Sequence, residues 1–195
     1  MIVPVVLEVV VWLLAILVTA GALVLSALAA RMRQPLLALV ALLPVGLGAL
    51  LLAFRLAVPA PAPAFWVMLA LVVAALGVVA GSPLTMLVLR RTAPAQTERE
   101  GVAGGIVVEG EDGRKPREVL RGGAIIGYLE RAAIVVSIVV GHPEAVAVIV
   151  AVKGLGRFSE LSSPEVRERF IIGTLVSMIW AAACGGIVWL AGSVF

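Results

Sequence analysis

Long apolar runs separated by short polar ones dominate the chain. "IVPVVLEVVVWLLAILVTAGALVLSALAA" carries one charge, Glu8, and "PLLALVALLPVGLGALLLAF" carries none. "AFWVMLALVVAALGVVAGSPLTMLVL" and "FIIGTLVSMIWAAACGGIVWLAGSVF" are equally bare. A helix needs roughly 20 apolar residues to cross about 30 Å of hydrocarbon, and each run reaches that length. At that depth the backbone must satisfy its own polar groups, which leaves the helix as the conformation for such runs. Two shorter runs, "AAIVVSIVV" and "EAVAVIVAV", are joined by "GHPE". Pro143 there stands at a favoured helix start, and Glu144 suits a helix N-terminus. The pattern predicts an all-α polytopic membrane protein with six transmembrane helices. The alternative has five elements, with residues 128–157 dipping into the bilayer as a re-entrant hairpin.

Three regions follow from this pattern. Residues 1–90 form a three-helix transmembrane half, residues 91–120 a cytoplasmic loop, and residues 121–195 a charged hairpin plus the last helix. Within the loop, "IVVE" and "GEDGRK" predict a short β-hairpin turning at Asp112-Gly113. Pro116 limits its second strand. The glycines lack the GxxxxGK[ST] spacing of a phosphate-binding loop.

Composition agrees with the run lengths. The chain is 62% hydrophobic, above the about 45–50% of soluble domains. Charge adds an orientation. Arg31, Arg33, Arg90, Arg91, the long loop, Arg157, Arg167 and Arg169 lie on one side, whereas the opposite loops hold only Arg55. By the positive-inside rule both termini are outside and residues 91–120 are cytoplasmic. Aromatic anchors give the same assignment: Trp12, Phe65, Trp66, Trp189 and Phe195 near the outer interface, Tyr128, Phe158 and Phe170 near the inner one. The net charge of +3 is then a topology signal, and nucleic acid is not an expected partner. The N-terminus has no positive n-region and its apolar run is too long for a cleavable signal peptide.

Candidate chemistry is sparse. Cys184 is the single cysteine and His142 the single histidine, so neither a metal site nor a thiolate cluster is expected. No nucleophile with an adjacent base stands out, no catalytic residue is assigned, and no cofactor is expected. The exception is a set of charges inside the hairpin: Glu130, Arg131, Lys153 and Arg157. Counted from "GHPE", Glu130 and Arg131 lie roughly 17 Å down one arm and Lys153 about 15 Å down the other. Glu130 is therefore placed to pair with Lys153, offsetting a desolvation cost of several kcal/mol. Three uses of this level compete. The charges are topology anchors that hold the hairpin, a site for an anionic lipid or solute, or a proton or ion relay centred on Glu130.

Helix breakers and small residues complete the inventory. Pro44 interrupts the second run, and Ser82 and Pro83 interrupt the third, at similar depths from the cytoplasmic side. Such breaks free backbone carbonyls and can line a polar vestibule. Gly173, Ser177, Ala181 and Gly185 form a stripe spaced by four on the last helix, a surface for close helix packing. Gly123 and Gly127 repeat the device, on a face expected to continue into Glu130.

"GGAIIGYLERAAI", "AVKGLGRFSEL" and "ERFIIGTLVS" together resemble a pattern shared by uncharacterised bacterial multi-pass membrane proteins, G-x-x-IG-x-LER, K-x-x-x-RF and IGT-x-x-S. The resemblance covers Gly122 to Ser177 and implies a bacterial inner-membrane location; it carries no activity. Three functions remain. The first is transport of a small solute, ion or anionic ligand through a cytoplasm-facing vestibule. The second is a non-catalytic subunit that docks copies of itself or a membrane partner through its small-residue faces. The third is an enzyme on a lipid-linked phosphate with Arg131, Lys153 and Arg157 as an anion clamp.

Overall fold

The computed structural model of the chain describes residues 2–56, 58–92, 107–108, 117–118, 123–156 and 164–193. Its elements are α1 (Ile2–Met32), a 3₁₀ segment (Pro35–Ala41), α2 (Leu42–Ala53), α3 (Pro63–Val79), α4 (Gly81–Thr92), β1 (Val107–Val108), β2 (Arg117–Glu118), α5 (Gly123–Val139), α6 (Ala145–Gly156) and α7 (Pro164–Gly192). The two strands pair antiparallel, Val107 opposite Glu118 and Val108 opposite Arg117. The Asp112-Gly113 turn and most of the 91–120 loop lie outside the described residues.

Among the described residues four helical stretches are long and apolar enough to cross a membrane: Val5–Met32, Pro35–Ala53, Pro63–Arg91 and Arg167–Gly192. Their outer surfaces are aliphatic. Leu17 is 72% exposed and Leu71 is 65% exposed, which suits contact with lipid and not with water. The hairpin helices are shorter. At 1.5 Å per residue, α5 is about 25 Å long and the described part of α6 about 18 Å, against roughly 30 Å of hydrocarbon.

The breakers act at helix starts. Pro44 falls in the first turn of α2, and the seven residues before α2 are wound as a 3₁₀ helix. That winding avoids the clash between the proline ring and the carbonyl four residues earlier. Pro83 falls in the first turn of α4, after a break at Ala80. Helix ends show a second device. Arg33 (φ 54°), Arg55 (φ 52°) and Gly141 (φ 85°) are left-handed. In each case the next residue's N–H reaches back five residues, Gln34 to Ala29, Leu56 to Leu51 and His142 to Ser137. This is the helix-terminating pattern in which a glycine is usual; at Arg33 and Arg55 a cation near the helix C-terminus offsets part of the strain.

α7 lies against α5, α4, α3 and α2, and α1 lies against α3 and the 3₁₀ segment. Small residues set the spacing. A Cβ on Gly77 would sit 2.8 Å from Cys184 Cβ, and one on Gly185 would sit 3.3 Å from the Val135 backbone. One buried cluster joins Ala22, Ala29, Leu76, Trp180, Cys184 and Val188, and a second joins Ile134, Val135, Met178 and Ala181. The Trp180 indole donates to the Leu76 carbonyl at 3.2 Å. One pole of the bundle gathers several turns. There Trp12 donates to the Pro59 carbonyl at 3.0 Å, and Gly192 lies against Trp66 and Gly141 near Trp189.

Candidate functional site

Arg131 is the polar centre of the molecule. It projects from α5 into the junction with α3, α4 and α7 and is only 3% exposed. Its Nε donates to the Val78 carbonyl at 2.6 Å. Nη1 donates to Ser177 Oγ at 3.0 Å and Nη2 to Ser82 Oγ at 2.7 Å. The guanidinium also lies 4.9 Å from the centre of the Tyr128 ring, a cation–π contact.

The chain is shaped around this side chain. The Val78 carbonyl takes the arginine at the break between α3 and α4, at Ala80; the N–H that Pro83 lacks would have served the Val79 carbonyl, four residues back. Gly81 is required by contact: a Cβ there would lie 2.4 Å from Arg131 Cδ and 2.8 Å from Nε. A Cβ on Gly127 would lie 3.3 Å from Nη1. The Gly123–Gly127 face thus runs on into Arg131, four residues further, and not into Glu130 as expected from the sequence. Val78 and Ser82 fall in the middle of the Pro63–Arg91 stretch, and Ser177 falls well inside Arg167–Gly192. The cation therefore sits near mid-height of these two helical stretches.

Glu130, one residue earlier, points elsewhere. Its Oε2 accepts a hydrogen bond from Lys153 Nζ on α6, with side chains 15% and 18% exposed respectively. Lys153 also lies 6.0 Å from the centre of the Phe170 ring. The charges thus separate into an ion pair on one side of α5 and a lone cation on the other. Among the described residues no carboxylate contacts Arg131; its acceptors are a carbonyl and two hydroxyls. Arg157 lies outside the described residues.

The remaining expected site residues fall as follows. Ser82 and Ser177 hold Arg131. Pro83 is buried and Pro44 half-buried, the latter in α2, which packs mainly on α7, the 3₁₀ segment and α1. Gly173, Ser177, Ala181 and Gly185 face their own chain: Gly173 meets Leu89 and Thr85 of α4, and Gly185 meets Val135 and Ile138 of α5. Sequence reasoning missed Thr85, whose Oγ1 is buried without a hydrogen-bond partner among the described residues. It stands one turn from Ser82, a spacing that puts both on one helix face. It also missed an apolar groove of about 500 Å³ at the opposite end of the packed helices from Arg90, lined by Trp66, Ala70, Val139, Val188 and Trp189. At the exposed turn, Glu144 accepts from its own backbone N–H and from His142 Nδ1 at 2.9 Å, and both hold its carboxyl below the usual range. Among the described residues no group of His, Cys, Asp and Glu could hold a metal ion.

Comparison of the chain with protein-family profiles, with curated proteins and with solved structures finds no match.

Proposed function

We propose that the chain is a multi-pass membrane protein that passes a small polar or ionic solute across the bilayer along the seam between α4, α5 and α7. The observation that carries this reading is Arg131, a buried cation at mid-height beside a broken helix. An ionisable residue withdrawn from water within a membrane costs several kcal/mol and is retained where it binds or relays something. Transporters place such groups at interrupted helices, where freed backbone groups face the cargo. In the present conformation the seam is closed over the guanidinium.

In this reading the chain crosses six times in a bacterial inner membrane, with both termini and the "GHPE" turn outside. The clustering of Trp12, Pro59, Trp66, Gly141 and Gly192 at one pole supports it, as does the placing of Arg31, Arg90 and Arg91 at the far ends of their helices. A scaffold that docks through the small-residue stripe is less well supported, because that stripe is covered by α4 and α5. The anion clamp of a phosphate enzyme is also weakened, since Lys153 takes Glu130 and Arg131 turns away from both. Lipid is the expected partner of the exposed aliphatic faces.

Reconstitution tests the proposal. Vesicles containing the protein should swell in a panel of isosmotic small electrolytes and non-electrolytes faster than protein-free vesicles for at least one solute. Arg131→Gln should abolish the difference and Gly21→Ala should keep it. Permeability equal to that of protein-free vesicles for the whole panel would rule the reading out.

A further inference from the structure

The hydrogen bonds around Arg131 leave an imbalance between donors and acceptors. Three N–H groups of the guanidinium are spent on Val78, Ser82 and Ser177, and two are not. Ser82 and Ser177 use their oxygens as acceptors, and among the described residues neither hydroxyl proton has a protein acceptor. This sets them apart from Thr19, Ser26 and Ser137, each of which donates to the carbonyl four residues back. Thr85 Oγ1, one turn along the same α4–α7 seam, has no hydrogen-bond partner among the described residues. The cluster thus offers two N–H and three O–H donors with no matching acceptor among the described residues. Buried donors left unpaired are costly, and a ligand of acceptors resolves the imbalance.

Charge narrows the ligand further. Glu130 and Lys153 neutralise each other, so among the described residues of this level Arg131 is left with the one net positive charge. One monovalent anion brings it to neutrality. A dianion would leave a negative charge in low-dielectric surroundings, at a cost of several kcal/mol.

We infer that Arg131, Ser82, Ser177 and Thr85 form a binding site for a small monovalent anion of the halide or nitrate class. The inference rests on the reading of Arg131 as the point of passage, and it adds the class of solute. Chloride NMR line broadening on the purified full chain in detergent tests it, at fixed ionic strength. The expected result is saturable broadening, displaced by nitrate and not by sulfate. Thr85→Val and Ser177→Ala each remove one donor, keep Arg131 and are expected to fold; each should weaken binding about tenfold, the scale of one hydrogen bond to a charged group. Broadening that does not saturate, that both variants leave unchanged, or that sulfate displaces as well as nitrate would overturn the assignment, the first outcome meaning a site filled by water only and the second chloride bound elsewhere on the protein. Saturable chloride binding without vesicle permeability would keep the site and remove the transport reading. Solute permeability without chloride binding would overturn the anion site alone.

Discussion

Gly81→Ala probes the arginine pocket without touching the arginine. The new Cβ would lie 2.4 Å from Arg131 Cδ and 2.8 Å from Nε. These atoms are near the middle of the side chain, whose far end is pinned by Ser82 and Ser177. The contact therefore cannot be relieved by moving a free tip. Overpacking of this kind costs about 1–3 kcal/mol. Displacing the guanidinium forfeits at least one hydrogen bond to a charge, about 1.5–3 kcal/mol. The gain in helix propensity returns about 1 kcal/mol. The net destabilisation is roughly 1.5–5 kcal/mol, with overpacking and the lost bond outweighing propensity. Gly81 has a negative φ, so backbone strain plays no part. Gly21→Ala is the control, since a Cβ there has nothing within 4 Å. Reversible unfolding in mixed detergent micelles measures both. A Gly81→Ala protein as stable as Gly21→Ala would refute the packing of Arg131 against α4.

Other expectations follow from the same geometry. Lys153→Met leaves Glu130 as an unpaired carboxylate and should destabilise by about 3–5 kcal/mol; the double variant with Glu130→Gln should recover much of the loss in the same unfolding assay, and an additive cycle would deny the ion pair. Cys184 is fully buried against Gly77, so its thiol should resist maleimide in the folded protein and react after denaturation. Glu144 titrates below its ordinary value of 4.5, so its contribution to stability is complete above that value and is lost as pH falls through the lowered one. His142→Gln should raise the Glu144 titration midpoint followed by carboxyl NMR, and an unmoved midpoint would remove His142 from its causes.

Run length made the four membrane-grade helices legible in the sequence, because apolar length is a one-dimensional property. Counting depth from "GHPE" placed Glu130 level with Lys153, where the structure has their contact. Direction was harder. Adjacent residues on a helix point about 100° apart, so Glu130 and Arg131 share a depth and not a face. The signal was present, since Arg131 falls in the stripe of Gly127, Ile134, Val135 and Ile138, and that stripe is the buried one. Treating all four charges as one level hid it. The partners of Arg131 were partly visible: Ser82 stood among the helix breakers and Ser177 in the packing stripe. Their convergence was not, because it depends on how α4 and α7 meet. The Val78 carbonyl has no side-chain signature at all. Arg33 and Arg55 ended helices in a conformation that residue type alone would assign to glycine.

The most direct test of the account is the position of the Arg131 guanidinium in lipid. A cryo-electron microscopy map of the protein in nanodiscs, with side chains visible, supplies it. The account predicts the guanidinium at mid-height of the lipid belt, between the Val78 carbonyl, Ser82 and Ser177. A guanidinium extended to the headgroup region, with Ser82 and Ser177 turned to other partners, would contradict it.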